Sequence, residues 1–384
     1  IGIGGIGTSA LARWFLSNGY RVSGSDAENS ETIQEIKKEG IKIFIGHKAE
    51  NLTKNTDLII HTSAIPFNNP EFEKAKKLGM PVKSYPKTLG DLTKIHKTIT
   101  VSGAHGKSTT TSLLSLVFKK AGLDPTVVVG TKLKEFGGSN FRQGKSNYLI
   151  LEADEYKRAF LNYFPAAAII TNIDKEHLDC YKDLTDIKNT FLEFINNIHS
   201  SGILVVNKDD KNLFSLKSRI EKIVKKKNIK IFWYGIRGNS RIVKILRRVL
   251  KISGEHNISN AMAVYVLSKK LGVKDKDIFT ALGSYHGAWR RMEYKGKFKI
   301  QNSKFKIDVY DDYAHHPTEI KATLSGIAQK WPKTGLICVF QPHQAKRLEL
   351  LFKEFVGAFN DANALILLDI FKVKGRDKVS QNVN

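Results

Sequence analysis

The stretch Thr98-Ile-Thr-Val-Ser-Gly-Ala-His-Gly-Lys-Ser-Thr-Thr-Thr111 carries more structural information than any other in the chain. Residues 98–101 form a β-branched run, the pattern of a buried strand. Ser102-Gly103-Ala104-His105-Gly106 follow as a tight turn. Lys107 and Ser108 then open a helix whose apolar face carries Leu113, Leu114, Leu116, Val117 and Phe118, and which stops at Gly122. A strand, a glycine turn, a Lys-Ser pair and a helix make a phosphate cradle. Backbone N–H groups and the positive end of the helix dipole meet the phosphate charge. The lysine reaches the β/γ-phosphates and the serine hydroxyl ligates Mg²⁺. The loop is shorter than the full G-x-x-x-x-G-K-[ST] pattern: Val101 stands where its first glycine would be, leaving G-x-x-G-K-S from Gly103. The alternative is an ordinary strand-to-helix turn. Thr109, Thr110 and Thr111 argue against it, because poor helix formers at a helix start suit hydroxyls beside an anion.

Composition bounds the rest. A chain of 384 residues with 41% apolar content should hold two or three domains with packed cores. No apolar run reaches about 18 residues, so no membrane span is expected, and no signal-peptide pattern is present. Cys180 and Cys338 lie far apart, which fits a reducing cytoplasm and argues against a disulfide scaffold or a zinc site. The net charge of +25 raises nucleic acid as a partner. The lysines are spread along the chain, however, and clump only at 222–230 and 237–251, without interleaved aromatics. A compositional bias is the better reading, and no nucleic-acid partner is expected.

Ahead of the cradle, Ile1-Gly-Ile-Gly-Gly-Ile-Gly7 precedes an apolar helix. Gly4, Gly5 and Gly7, followed by Asp26 after a short strand at 20–23, suit a diphosphate at a helix N-terminus. Residues 1–3 read as the remainder of a strand in which the chain begins. A helix at 30–39 and strands at 42–45 and 58–61 follow. His61-Thr-Ser63-Ala-Ile-Pro66 puts small polar residues at a strand end, where open α/β sheets bind ligands. A short helix at 71–78, a strand at 81–83 and a break over 85–96 close a first unit of roughly 95 residues.

Beyond the cradle come a strand at 126–129 and Gly137-Gly138-Ser139-Asn140, which reads as a loop near a ligand. A strand at 148–152 ends in Glu152-Ala-Asp154-Glu155. A carboxylate at that place holds Mg²⁺ in phosphoryl-transfer sites. A strand at 167–171 ends in Asn172-Ile-Asp174-Lys-Glu176-His177-Leu-Asp179 and brings a histidine to the same edge. A helix at 184–198, a strand at 202–207, a basic helical stretch and a strand at 230–234 lead to a helix through Leu271. Asn257 and Asn260 share one face of its first turn and suit an adenine or ribose, or one of them caps the helix. A third unit starts near Tyr285, with Arg290 and Arg291 in a loop. Its strands, at 307–310, 335–340 and 365–369, include two that end in polar clusters: Asp311-Asp-Tyr-Ala-His315-His316-Pro317 and Gln341-Pro-His343-Gln-Ala-Lys346-Arg347.

Taken in order, these stretches resemble the Mur ligases over nearly the whole chain: residues 1–12, 103–109, Glu152-Ala-Asp-Glu155, Thr171-Asn-Ile…His177, Gly254-Glu-His-Asn…Asn260-Ala261, Arg290-Arg291, residues 311–317 and Phe340-Gln-Pro-His343. The opening glycines and the 311–317 element resemble those of the alanine-adding branch most, with the murein-peptide ligases close behind. The resemblance implies an α/β fold in three domains: a UDP-sugar-binding Rossmann-like domain at 1–95, a central P-loop ATPase domain at 96–284, and a truncated C-terminal Rossmann-like domain at 285–384. It implies ATP-dependent joining of L-alanine to the carboxylate of UDP-N-acetylmuramate through an acyl phosphate, by a cytoplasmic monomer or weak dimer using ATP and Mg²⁺. Gly103, His105, Gly106, Lys107, Ser108 and Thr109, with Asn257, Asn260 and Asp311, would hold the nucleotide. Ser108, Glu152 and His177 would hold Mg²⁺. Lys107, Glu152, His177, Arg291 and His343 would act in catalysis. Gly4, Gly5, Gly7, Asp26, His61, Ser63, His315 and Arg347 would hold the sugar nucleotide and the amino acid. Sites on separate domains imply hinge closure. Three departures stand out. Gln344-Ala-Lys346-Arg347 replaces Arg-Tyr-x-Arg, a short basic stretch replaces a longer strand-rich segment before Gly254, and the last sheet should show a bare edge and exposed apolar faces. They leave a non-catalytic UDP-sugar or nucleotide module as the alternative class.

Overall fold

The computed structural model describes residues 1–66, 68–238, 240–299 and 306–371. The first section contains α1 (Ile6–Ser17), β1 (Ser23–Asp26), α2 (Glu31–Lys38), β2 (Lys42–Ile45), β3 (Ile59–His61), α3 (Pro70–Lys77), β4 (Val82–Ser84) and α4 (Tyr85–Ile95). β1 pairs with β2, and β3 with β4, both in parallel. Residues 1–3 join the two pairs. Gly2 and Ile3 N–H donate to Ser25 O, Thr62 N–H donates to Ile1 O, and the Ile1 amino group donates to Ile60 O at 2.6 Å. Ile3, Ala12, Ile33, Ile36 and Ile41 form the small core beneath them.

Two expectations shift here. The strand expected at 20–23 lies at Ser23–Asp26. The break expected over 85–96 is the helix α4, with Pro86 in its first turn and Leu89 and Leu92 buried. Pro is tolerated at that position. Gly90, which weakens the helix signal, sits where a side chain would overlap Asn162 O, so close packing outweighs propensity.

The middle of the chain builds a seven-stranded sheet in the order β11-β10-β9-β5-β8-β6-β7. Its strands are β5 (Lys97–Ser102), β6 (Thr126–Leu133), β7 (Ser139–Arg142), β8 (Tyr148–Glu152), β9 (Ala167–Ile170), β10 (Ile203–Asn207) and β11 (Lys230–Tyr234). All neighbours are parallel except β6 and β7. The stretch at 137–140 is therefore a turn only as far as Gly138. Ser139 and Asn140 return as an edge strand, and Asn140 is buried beside Arg13.

Helices cover both faces, as the near-continuous apolar strands require. α5 (Lys107–Lys120), α9 (Arg241–Val249), α10 (Glu255–Lys270) and α11 (Asp275–Ser284) enclose Leu113, Val117, Phe118, Val264 and Leu282 on one side. On the other side α1, α4, α6 (Leu184–Asn196) and α8 (Lys217–Lys226), which follows the short α7 (Lys211–Ser215), enclose Leu92, Phe160, Phe191, Phe194 and Val224. Each of these side chains contributes about 1.5–3 kcal/mol of transfer free energy.

The third section has an antiparallel pair, β12 (Glu293–Lys299) and β13 (Lys306–Asp311), then α12 (Pro317–Lys330), β14 (Ile337–Phe340), α13 (Ala345–Leu350), α14 (Phe352–Val356) and β15 (Ala364–Leu367), which runs parallel to β14. Ile320, Leu324, Phe340, Leu351 and Phe355 form its core. Ile337, Val339 and Leu367 are 57%, 60% and 61% exposed, and Leu365 is exposed beside them on the paired β14 and β15, as are Phe352 and Val356 on α14. Among the described residues no helix is long and apolar enough to cross a membrane.

Candidate active site

β5 lies between β8 and β9, so the chain leaves it in both directions and opens a crevice over the C-terminal strand ends. The loops after β5, β8, β9 and β10 meet there. In the loop after β5, Gly103 and Gly106 have φ of +139° and +81°. A side chain on Gly103 would overlap Thr171 Oγ1, and one on Gly106 would come within 2.6 Å of Asn260 Oδ1. Only glycine fits both the conformation and the space. The loop is tied to the end of β9. Ala104 N–H donates to Asn172 O at 3.1 Å, His105 N–H donates to Asn172 Oδ1 at 2.8 Å, and the Thr171 hydroxyl donates to His105 O at 2.7 Å.

Lys107 turns back over this loop, donating to Gly103 O at 2.8 Å and to Glu155 Oε2 at 2.9 Å. Burial works against its charge, but Glu155 and Asp154 outweigh burial and hold its pKa above the ordinary lysine value. Ser108 Oγ donates to Glu152 Oε1 at 3.0 Å, and Gly130 N–H donates to Glu152 Oε2 at 2.7 Å. Burial raises the Glu152 pKa against the pull of Lys107.

Asp154, Glu155 and His177 bring one ligand atom each within 4.8 Å of one another. His177 Nε2 lies 3.7 Å from Glu155 Oε1 and 3.9 Å from Asp154 Oδ1, and its φ of +56° marks a constrained turn. Burial lowers the His177 pKa, which favours the neutral, ligating imidazole. The oxygen-rich donors of Ser108, Glu152, Asp154 and Glu155 fit a hard divalent cation, with the imidazole as the softer member. The structure thus brings Lys107, Ser108, Glu152 and His177 into one crevice. It adds Asp154 and Glu155, which sequence reasoning left out of the site although they share the acidic cluster of Glu152.

A cavity of about 490 Å³ lies between the central sheet and the third section, a size suited to a nucleotide. His105, Gly106 and Thr109 line one wall, and the buried Asn257 and Asn260 another. Neither asparagine caps α10, whose N-cap is Gly254. On the third wall, Asp312 lines the cavity where Asp311 was expected, together with Glu319. Asp312 accepts from the N–H groups of Met292 and Ala314, both at 2.8 Å, whereas Asp311 lies 3.8 Å from Arg290 outside the cavity. Successive side chains at a strand end point to opposite faces, and that alternation separates the two.

Arg291 also lines the cavity, 3.8 Å from Glu319 and over the Tyr313 ring. His315, His343 and Arg347 do not. His315 Nδ1 lies 2.8 Å from Tyr313 O, and the His343 ring stacks on Phe371. The Arg347 guanidinium donates to Glu176 Oε1 at 2.6 Å, with both groups buried. Burial opposes the Glu176 charge, yet Arg347 holds its pKa down at about 2. His177, Gln344, Lys346 and Arg347 share a second, smaller cleft.

The first-section candidates lie apart from the large cavity. Asp26 Oδ2 accepts from Gly4 N–H at 2.8 Å and so fixes the glycine turn. Gly5 is the N-cap of α1. A side chain on Gly7 would come within 2.6 Å of the Tyr85 hydroxyl. The His61 ring packs edge-on against Phe72, and Ser63 O accepts from Lys157 Nζ at 3.2 Å.

Models of three Mur ligase domains match the chain: the Mur ligase family catalytic domain at 1–97, the Mur ligase middle domain at 101–268 and the Mur ligase glutamate ligase domain at 290–382. UDP-N-acetylmuramate–L-alanine ligases of Clostridium kluyveri and Clostridium botulinum (strain Okra) are each 43% identical to it, over 98% and 100% of this chain and 84% and 85% of theirs. Among solved structures, the UDP-N-acetylmuramate–alanine ligase of Thermotoga maritima matches with a TM-score of 0.79 at 28% identity, covering 96% of this chain and 84% of that one. A murein peptide ligase of Psychrobacter arcticus shares the fold, with a TM-score of 0.70 at 22% identity over 96% of this chain and 89% of its own. The chain belongs to the Mur ligase family and has its three-domain α/β architecture.

Proposed function

We propose that the chain is a cytoplasmic, ATP-dependent ligase that joins L-alanine to the carboxylate of UDP-N-acetylmuramate, releasing ADP and phosphate, in the supply of peptidoglycan precursor. The observation that carries this reading is the convergence of Lys107, Ser108, Glu152, Glu155 and His177 on one crevice beside a nucleotide-sized cavity. The domain borders fall at 95/96 and 284/285.

A carboxylate is a poor acyl donor, so the γ-phosphoryl group moves onto it first, and the protein positions groups and neutralises charge. Lys107, held over the loop carbonyls, meets the β/γ-phosphates. Gly103, His105, Gly106, Ser108 and Thr109 line the phosphate side, and Asn257, Asn260 and Asp312 the nucleoside side. Ser108, Glu152 and the Asp154–Glu155–His177 group would hold Mg²⁺, which neutralises phosphoryl oxygens when bound. The alanine amine then attacks the acyl phosphate, phosphate leaves, and the Arg291 guanidinium stabilises the oxyanion between. Gly4, Gly5 and Gly7 receive the diphosphate, Asp26 keeps their turn in shape, and His61 and Ser63 flank the sugar nucleotide. His315 and His343 flank the amino acid, and Arg347 orders that side through Glu176.

The test is ADP release with UDP-N-acetylmuramate and a panel of amino acids and murein peptides. Alanine-dependent turnover that Lys107→Ala abolishes is the expected result. No alanine-dependent turnover, with Lys107→Ala indistinguishable from the unaltered chain, rejects the reading. A preference for peptides transfers it to the murein-peptide branch.

A further inference from the structure

One carboxylate of the third section reaches into the phosphate loop. Glu319, in the first turn of α12, places Oε1 3.4 Å from His105 Nδ1 and 3.8 Å from the Arg291 guanidinium. Its Oε2 accepts from the N–H groups of His315 at 3.1 Å and His316 at 3.4 Å, which fixes the start of the helix. The other ring nitrogen of His105, Nε2, lies 3.0 Å from Asp174 Oδ2, and that oxygen also accepts from the Thr318 hydroxyl at 2.8 Å. The imidazole therefore stands between two carboxylates, at hydrogen-bond distance from Asp174 in the loop after β9 and at ion-pair distance from Glu319 of the third section.

The position of His105 gives the bridge its meaning. It stands between Ala104 and Gly106, and its own N–H and C=O are locked by Asn172 and Thr171. A phosphate cradle works through its backbone N–H groups and needs no imidazole there. This side chain is turned sideways, to the section that must dock before Arg291 and Asp312 can reach the nucleotide. His105, Arg291 and Glu319 all line the same cavity. An interface contact that served adhesion alone would have no reason to involve both the phosphate loop and Arg291.

We propose that Glu319 is a positioning residue that, through His105, couples docking of the third section to the shape of the phosphate loop. The inference deepens the ligase reading and rests on it. Docking presents Glu319 to His105, His105 steadies the loop, and the same carboxylate orients Arg291. Loss of either partner breaks the same link, so the two losses do not multiply.

The experiment is a double-mutant cycle on the full chain with His105→Gln, Glu319→Gln and both together. Glutamine at 319 still accepts from the backbone and keeps the helix cap. Each single variant is expected to lower kcat for alanine-dependent ADP release about tenfold, and the double variant to fall no more than about twofold further. UDP-N-acetylmuramate affinity by calorimetry stays within about twofold, since that site lies on the first section. ATP affinity by calorimetry runs the same cycle without turnover, so the coupling is read even where the ligase reading fails, and losses that do not multiply are expected there too. Single variants within about twofold of the unaltered chain in both readouts overturn the proposal, as do effects that multiply in the double variant. Loss of UDP-N-acetylmuramate binding alongside turnover also overturns it, because that marks a general folding role.

Discussion

Lys107 Nζ donates to Glu155 Oε2 over 2.9 Å, and the carboxylate it meets is buried. The lysine that should meet phosphate is thus held by a competing anion beside it. Glu155→Gln removes the competitor and one oxygen of the cation site. ATP affinity by calorimetry is expected to rise about threefold, while kcat falls about a hundredfold. A fall in both would show that Glu155 only props the loop.

Chelation of divalent cations should stop ADP release, and added Mg²⁺ should restore it. Asp154→Asn and His177→Ala are each expected to raise the Mg²⁺ concentration for half-maximal turnover by about tenfold or more. A Mg²⁺ titration of initial rates checks this. Unchanged half-saturation in both variants would remove the Asp154–Glu155–His177 group from the cation site.

Asp312, and not Asp311, lines the cavity proposed for the nucleotide. Losing a hydrogen bond from a charged acceptor costs about 1.5–3 kcal/mol. Asp312→Asn should therefore raise the KM for ATP by about tenfold or more, and Asp311→Asn by less than about threefold. Steady-state kinetics on the two variants gives the order directly.

The His105 bridge titrates. Burial alone would lower its pKa, but Asp174 and Glu319 together raise it from 6.5 to about 10. A raised folded-state value means that the charged imidazole stabilises the folded chain fully below pH 6.5, and that this stabilisation is lost as pH rises through about 10. The difference in melting midpoint between the unaltered chain and His105→Gln should shrink across that window. A difference that grows with pH would contradict the assignment.

Arg347 and Glu176 are buried partners. Arg347→Ala strands the carboxylate and should cost about 3–5 kcal/mol in chemical denaturation. An arginine that touched only substrate would leave stability unchanged.

The strand, turn and helix around Lys107 were legible because β-branching, glycines and apolar periodicity are local signals. The placement of Glu152 at the end of β8 and of His177 in the loop after β9 was legible for the same reason, as polar residues following apolar strands. Asp312 was missed because a one-residue step at the end of β13 reverses the side chain's face, and the spacing did not show which of the two aspartates turned inward. The helix α4 was misread because Gly90 weakens its propensity, while the packing that demands glycine comes from Asn162. β12 went unseen because Glu293-Tyr-Lys-Gly-Lys-Phe-Lys299 presents mostly charged, exposed positions. The Arg347–Glu176 pair spans 171 residues of sequence and follows from docking alone, so nothing local announces it.

The apolar surface along β14 and β15 shares a molecule with a formal charge of +25. At low ionic strength, Coulomb repulsion keeps copies apart. At physiological salt the Debye length shrinks to about 8 Å, and that repulsion no longer spans the gap between approaching molecules. Self-adhesion should therefore strengthen as salt is added, the opposite of an interface built on ion pairs, and light scattering across a salt series would follow it.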